Sequence, residues 1–428
     1  MSKRNLIIII LFLSTAFLGW LLFMYFSGNK TTTTTSTETT TEFPFGKTNT
    51  TNNTGLDGDN EAVDLIISKR DEGGVGETKT IFKQIYSKPT SGSIFYSNKN
   101  KILRFVDREK GNIYEYDTNK QEEPVRTTNT TIAKIQDTQW SKNSNNLILS
   151  FLDDENNINN FSGKIKISTS TEGTVGEITT EAFLTKNSIQ SIINPSGDKI
   201  FELINKPGKS GSYGVISSTK AENKKQIFDS PLSLFNINWI NDNIITFTTK
   251  PSYKDDGILF FFNIKSNTFD KIFGSIKGLT TNTNETGDLV AYSETKNKDI
   301  SLNVYDVIKR EIIKLDISTI ADKCVWSTKN TKKLYCAIPK EIIKNQYPDV
   351  WYQGLVSFSD NIWFIDTESG STKLIFDIDK EKYSDIDAFN LKLSDDDKYL
   401  SLINKNDLSL WLLEITENNP ATTTIKTI

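Results

Sequence analysis

A pattern of an apolar stretch, a polar turn and a second apolar stretch occurs seven times in this chain. Equivalent turn positions are Ser97, Ser141, Pro195, Asn241, Glu285, Ser327 and Ser394. Four of the six steps between them are 42 to 46 residues long, and the longer steps of 54 and 67 residues contain insertions. A repeat of about 40–50 residues with several strands per unit is typical of propellers, whose four-stranded blades stack radially. We therefore predict an all-β fold, a β-propeller.

The predicted propeller covers residues 80–415 and has seven blades, with six or eight blades as alternatives because the longest step has room for further strands. A β-sandwich also has alternating strands, but it does not repeat a four-strand unit. Residues 258–262 are apolar throughout, as expected where both faces of a blade meet a neighbour. Residues 80–86 are expected to pair beside residues 408–415 and so to complete the last blade without a free edge.

The N-terminus predicts a membrane anchor. Residues 6–26 contain no charged side chain and would span about 31 Å as a helix, which is about the thickness of the hydrocarbon core of a bilayer. A cleaved signal peptide is the alternative, but its apolar region would be shorter and would end at a small-residue cleavage site. Lys3 and Arg4 precede the span, so residues 1–5 are expected in the cytoplasm and the residues that follow the span outside the cell.

Residues 27–79 are rich in Thr and Asn and too poor in apolar residues to form a core, so they predict a flexible stalk. Residues 416–428 form a short C-terminal tail. The predicted protein is therefore a single-pass protein of the cell membrane, with a propeller held outside on a stalk.

Two cysteines lie at equal distances from Asn330, the centre of a predicted hairpin turn. Cys324 and Cys336 should therefore face each other on adjacent strands. In one type of antiparallel pair the Cα atoms are about 4.5 Å apart, near the lower limit for a disulfide. We predict a disulfide, and two buried free thiols are the alternative.

Composition excludes several kinds of chemistry. The chain has no histidine, which removes histidine-dependent nucleophiles, bases and metal ligands, and two cysteines are too few for a structural zinc site. We find no phosphate-binding or dinucleotide-binding motif, so no cofactor is predicted. The net charge of −4 and the scattered basic residues argue against a nucleic-acid partner.

One acidic stretch could be considered as a calcium site. It contains Asp377, Asp379, Glu381, Asp385 and Asp387. The stretch lacks the turn glycine and the terminal glutamate of a calcium loop, so we interpret it as solvated loop charge and predict no metal site.

A long insertion in the sixth repeat, residues 338–354, is the candidate partner-binding loop. Its candidate contact residues are Tyr347, Asp349, Trp351, Tyr352 and Gln353. Loops on a rigid scaffold often carry binding residues. The alternative is that Trp351 and Tyr352 fill the gap between the sixth and seventh blades.

A family resemblance rests on the N-terminal span together with four segments. These are Phe43-Pro44-Phe45-Gly46, the first-blade residues 104–114, the Cys324 and Cys336 hairpin, and residues 347–354. The combination resembles the membrane-anchored propeller proteins of small-genome candidate-phyla bacteria. More distantly, the repeats resemble WD-repeat-like units of the Tol-system periplasmic propeller and of the N-terminal domain of dipeptidyl peptidases. The Tol resemblance implies protein binding, and the peptidase resemblance implies no activity because no hydrolase domain follows the repeats.

Two functional classes follow from these observations. The first is a non-catalytic interaction or scaffold module that binds a protein or a cell-envelope polymer. The second is a glycan-active enzyme with two carboxylates in the propeller channel as acid and base. The enzyme would need these carboxylates about 5–10 Å apart in one cleft. We favour the binding module.

Overall fold

The structure is a computed structural model that describes residues 82–96, 101–170, 173–186, 188–378 and 385–415. The predicted span, the stalk and the C-terminal tail lie outside these residues. Among the described helices, none has the length and apolar character needed to cross a membrane.

The described strands form seven antiparallel sheets of four strands each, which we call blades 1 to 7. The first described strand is β1 (Phe82–Tyr86). Blade 1 contains β2 (Thr90–Phe95), β3 (Ile102–Asp107), β4 (Ile113–Asp117) and β5 (Val125–Arg126). Blade 2 contains β6 (Ile135–Trp140), β7 (Asn146–Leu152), β8 (Ile158–Ser170) and β9 (Gly173–Phe183). Blade 3 contains β10 (Ser188–Ile193), β11 (Lys199–Asn205), β12 (Ser212–Ser218) and β13 (Lys225–Ser230).

The remaining blades follow the same order. Blade 4 contains β14 (Phe235–Asn241), β15 (Ile244–Thr249), β16 (Asp256–Asn263) and β17 (Thr268–Lys277). Blade 5 contains β18 (Thr280–Thr283), β19 (Leu289–Lys296), β20 (Asp299–Asp306) and β21 (Glu311–Ile317). Blade 6 contains β22 (Cys324–Trp326), β23 (Lys333–Pro339), β24 (Asp360–Asp366) and β25 (Thr372–Phe376). Blade 7 contains β26 (Ala388–Leu393), β27 (Tyr399–Asn404) and β28 (Leu410–Glu414).

The seventh blade joins the two ends of the propeller. Its fourth strand is β1, which pairs antiparallel with β28 and places Phe82 opposite Leu413 and Tyr86 opposite Leu410. The strand β2 also contacts β26, so blades 1 and 7 are neighbours. The predicted closure is confirmed for residues 82–86, while residues 80 and 81 lie outside the described residues. The predicted number of seven blades is also confirmed.

Each interface between neighbouring blades has its own cluster of buried apolar side chains. Blades 3 and 4, for example, share a cluster that includes Phe201 and Phe247. The remaining interfaces are filled in the same way. The strand β16 shows how one strand serves two interfaces, because Phe262 packs toward blade 3 while Leu259 and Phe261 pack toward blade 5. This explains why the strand is apolar at every position of its centre.

The two faces of the ring differ in their connections. Because the strands are antiparallel, every turn from the first to the second strand of a blade lies on one face, which we call the turn face. These are the turns of the sequence repeat, of which the one at Ser97 lies outside the described residues. The opposite face carries the connection between β23 and β24, residues 340–359, which we call the insertion segment. We call this face the insertion face.

Hydrogen bonds between neighbouring turns stabilise the turn face. The Asn146 side chain donates to the Gly197 carbonyl at 2.7 Å, and the Asn284 side chain donates to the Thr331 carbonyl at 3.1 Å. Gly197 has a φ of 76°, and a Cβ atom there would lie 2.9 Å from the side-chain amide of Asn146. The turn therefore requires glycine both for its backbone conformation and for this close approach.

Candidate functional site

The insertion segment folds against the ring. It contains one short helix, α1 (Asp349–Tyr352), and its buried side chains form a separate apolar cluster. That cluster joins Tyr347, Trp351 and Phe358 to Ile300 and Ile320 of blade 5 and its exit. The predicted boundaries differ slightly from the observed ones, because residues 338 and 339 belong to β23.

Two of the candidate contact residues are buried. Tyr347 has no exposed surface, and its hydroxyl donates to the Ile343 carbonyl at 2.9 Å. Trp351 is 3% exposed; its indole donates to Asp387 just before blade 7, and its ring centre lies 5.2 Å from the ammonium of Lys323 just before blade 6. Its position matches the alternative in which this side chain fills the gap between those blades.

The other three candidate residues have different environments. Asp349 accepts a hydrogen bond from the backbone N–H of Tyr253 in blade 4, at 2.6 Å. The Tyr352 hydroxyl donates to Asp322, which precedes blade 6. Gln353 is exposed. Contact with a partner is therefore a prediction for Gln353 and its exposed neighbours, while the other residues hold the segment in place.

A buried cluster of charged groups lies beneath α1. Lys323 forms ion pairs with Asp360, at 2.7 Å, and with Asp387, and all three side chains have no exposed surface. The indole N–H of Trp351 donates to Asp387, and the backbone N–H of Phe358 donates to the same carboxylate at 3.1 Å. These bonds tie the insertion segment to the start of blade 7.

The surroundings shift the pKa values of this cluster. Burial raises the pKa of Asp360 to about 6, an effect that Lys323 opposes and the negative charge of Asp387 reinforces. One oxygen of Asp360 is also buried without a hydrogen-bond partner among the described residues. For Lys323, burial alone would lower the pKa, but the two carboxylates outweigh burial and raise it. Burial likewise raises the pKa of Asp322.

The sequence interpretation of the acidic stretch is wrong for one residue. Asp387 is a buried member of an ion-pair cluster and not a solvated loop charge. Asp385 is exposed, and Asp377 pairs with Lys340 at 3.1 Å. Asp379 and Glu381 lie outside the described residues. The partners of Asp387 come from other repeats, so no local sequence signal could have identified them.

A central channel forms the other candidate site. It contains a cavity of about 400 Å³ to which the first strand of every blade contributes. Trp140, Trp239 and Trp326 supply apolar wall, and Asn238, Asn282 and Asn390 supply amides. The charged lining residues are Asp137, Lys142, Glu285 and Lys392. Lys142 of blade 2 pairs with Glu285 of blade 5 at 2.7 Å, so this ion pair joins two non-adjacent blades on the turn face.

The two carboxylates of the channel come from different blades and have their own partners. Asp137 accepts from the Gln139 side chain at 2.8 Å, while Glu285 is held by Lys142. Asp360 and Asp387 do share a neighbour, but both are fully buried. Across the described part of the chain, no group of three or more Asp, Glu or Cys side chains is placed to hold a metal ion.

The predicted disulfide is confirmed. Cys324 on β22 and Cys336 on β23 are bonded, with Cα atoms 4.1 Å apart, and they are directly paired across the two strands. Both cysteines lie in the apolar cluster between blades 5 and 6. The disulfide therefore fixes the hairpin whose second strand leads into the insertion segment.

Comparison with known proteins finds similar folds but no related sequence family. No protein-family profile and no curated protein sequence matches the chain. Among solved structures, an oligogalacturonate lyase in complex with manganese is similar with a TM-score of 0.54 and 12% identity, covering 83% of this chain and 97% of the lyase. TolB from Acinetobacter baumannii has a TM-score of 0.40 and 8% identity, covering 78% of this chain and 65% of TolB.

The propeller domain of the Trilobed protease from Pyrococcus furiosus has a TM-score of 0.48 and 12% identity, covering 80% of this chain and 99% of that domain. The seven four-stranded blades confirm the distant propeller resemblance at the level of the fold. At sequence identities this low, neither an activity nor a site residue of these proteins can be assigned to this chain.

Proposed function

We propose that this protein is a non-catalytic binding module whose insertion face docks a partner protein. The observation that carries the proposal is the exposure of two large apolar side chains on the insertion segment, Ile343 at 80% and Leu355 at 71%. Exposed apolar side chains on an ordered surface favour a protein interface over a polar polymer.

The segment that displays these side chains is held by several blades. Besides the bond from Tyr253 to Asp349, the backbone N–H of Asn345 donates to Lys298 of blade 5 at 3.2 Å. Ser357 donates to Asn406 of blade 7 at 2.6 Å. A surface fixed in this way loses little conformational entropy on binding, which favours affinity.

Further apolar side chains are exposed on the same face. They are Ile158 and Phe183 at the ends of two strands of blade 2, and Leu232 and Leu234 between blades 3 and 4. A partner that covers the insertion segment could extend over this face toward them. No observation favours the second class, a glycan-active enzyme, because each channel carboxylate is already engaged by a neighbouring side chain.

The proposal includes the membrane anchor. The uncharged residues 6–26 and the preceding Lys3 and Arg4 support a single span with the propeller outside the cell. The stalk then lets the insertion face reach a protein of the envelope or of another cell.

Site-specific photo-crosslinking tests the docking face. A photoreactive amino acid is placed at Ile343 or at Leu355 in the native host, and at Ile308, which is 78% exposed on the turn face, as the control. The proposal expects one protein adduct shared by positions 343 and 355 and absent from position 308. It is contradicted if the insertion segment gives no adduct, or if all three positions give the same one. A carbohydrate adduct at 343 and 355 would favour an envelope polymer instead.

A further inference from the structure

The central channel contains a lysine that makes no direct ion pair with the described residues. Lys392 on β26 lines the cavity, and its side chain has accessible surface there. None of the described residues makes a hydrogen bond or an ion pair with its ammonium group. An exposed ammonium group without a direct partner in the protein is available to pair with a charged ligand.

The other charged groups that line the channel have direct partners. Lys142 is paired with Glu285, and Asp137 accepts a hydrogen bond from Gln139. Asp137 lies near enough to Lys392 to raise its pKa, but it also lies near Arg108.

The local environment of Lys392 disfavours its charged form. The Lys392 side chain is exposed to the channel, but the surrounding blades still desolvate it enough to lower the pKa of the ammonium, an effect that Asp137 opposes. An anion bound beside this group would offset the cost of desolvation.

The backbone of β26 is shaped to direct polar groups into the channel. Its pairing with β27 has a bulge between Phe389 and Lys392, and Asn390 within the bulge has a φ of 51°. Asn390 and Lys392 both line the cavity. A bulge in a strand re-aims side chains and is common beside functional sites.

We propose that the channel binds a small organic carboxylate, whose charge pairs with Lys392 and whose polar body meets Asn238 and Asn390. A cavity of about 400 Å³ is within the range of small-molecule sites. The tryptophan side chains supply apolar wall for the carbon skeleton. The ligand could be an acidic sugar or the C-terminal carboxylate of a peptide, since both present the same group. This site is in the channel and not on the insertion segment, so it is independent of the proposed protein docking.

Calorimetric titration of the full-length protein tests the proposal. The probes are glucuronate with glucose as its neutral counterpart, and N-acetylglycine with N-acetylglycinamide as its neutral counterpart. We expect one of the two acids to bind at least about tenfold more tightly than its own neutral counterpart, because only the acid makes a charge-assisted hydrogen bond with Lys392. The acid that binds identifies the source, either a saccharide or a peptide terminus.

Three variants separate the channel site from general charge effects. K392Q should weaken binding of the acid by at least about tenfold. K398Q removes an exposed lysine of the turn face in the same blade and should leave the affinity unchanged. D137N removes the carboxylate that competes for Lys392 and should tighten binding, a change in the opposite direction that a loss of folding would not produce. D137N carries the test if K392Q does not fold.

Several results would overturn the proposal. The proposal fails if neither acid binds at millimolar concentration, or if the acid that binds has the same affinity as its neutral counterpart. It also fails if a folded K392Q variant binds that acid with unchanged affinity, or if D137N binds it more weakly. Equal loss in K392Q and K398Q would also overturn it, because the effect would then not come from the channel.

Discussion

The indole N–H of Trp351 donates to both carboxylate oxygens of Asp387, at distances of 3.1 and 2.9 Å. Through this contact, a helix of the insertion segment is attached to the first residues of blade 7. The same carboxylate is an ion-pair partner of Lys323, so the insertion segment and two blades share one buried polar network. Such a network stabilises a structure only while every member keeps its partners.

The first prediction concerns Trp351. Replacing it with Phe removes the donor to a buried carboxylate and should lower the free energy of unfolding by about 2 to 3 kcal/mol. The matched control is W363F, because the Trp363 indole on β24 makes no hydrogen bond with the described residues. Urea unfolding measures both variants. Equal losses of unfolding free energy in W351F and W363F would show that the bond to Asp387 contributes nothing beyond packing.

The second prediction concerns the pH dependence of Asp360. Burial raises its pKa to about 6, above the ordinary value of 3.8, so the folded state holds this proton more tightly than the unfolded state. The contribution of this group to stability therefore increases as the pH falls from 7 to 5, by about 1 kcal/mol. D360N cannot take up the proton and should lack this gain. Urea unfolding of both proteins at pH 7, 6 and 5 measures it, and parallel pH profiles would refute the assignment.

The third prediction concerns the disulfide. Replacing Cys324 and Cys336 together with Ala avoids placing hydroxyls among buried apolar side chains. The bridge joins residues only 12 positions apart, so its loss should cost about 3 kcal/mol at most, and the propeller should still fold. Binding at the insertion face should weaken more than the melting temperature falls, because the base of the segment loses rigidity. Unchanged binding by the folded variant would remove this link between the disulfide and function.

The fourth prediction concerns topology. Protease added to intact cells should cleave within residues 31–60 and leave a short fragment in the membrane, because cleavage occurs preferentially in exposed unfolded segments. Complete protection of the propeller would refute an outside location. A mature chain that begins near residue 27 would show a cleaved signal peptide instead of an anchor.

Much of the fold follows from local sequence patterns. The seven polar turns mark the start of each second strand, and the apolar residues 258–262 mark a strand buried on both faces. The disulfide was predictable because Cys324 and Cys336 belong to one hairpin, where the position of the turn fixes which residues are opposite. These features depend on contacts close in sequence.

The buried charge network could not be predicted in the same way. Lys323 lies just before blade 6, Asp360 is the first residue of β24, and Asp387 lies just before blade 7, so the three meet only when blades 6 and 7 pack together. Similarly, the sequence identified the insertion but not which of its side chains point inward. The sequence alone does not distinguish Tyr347 and Trp351, which are buried, from exposed aromatic residues that contact a partner.

The central claim is that the insertion face binds a partner protein, and the affinity for the partner identified by crosslinking tests it most directly. The dissociation constant is measured for the double variant I343D/L355D and for the control I308D/I312D, which changes two exposed apolar residues of blade 5 at the turn face. The account predicts that I343D/L355D weakens binding by at least about tenfold, since charges then replace apolar contacts, while I308D/I312D binds like the unaltered protein. Equal affinity of I343D/L355D and the unaltered protein would contradict it.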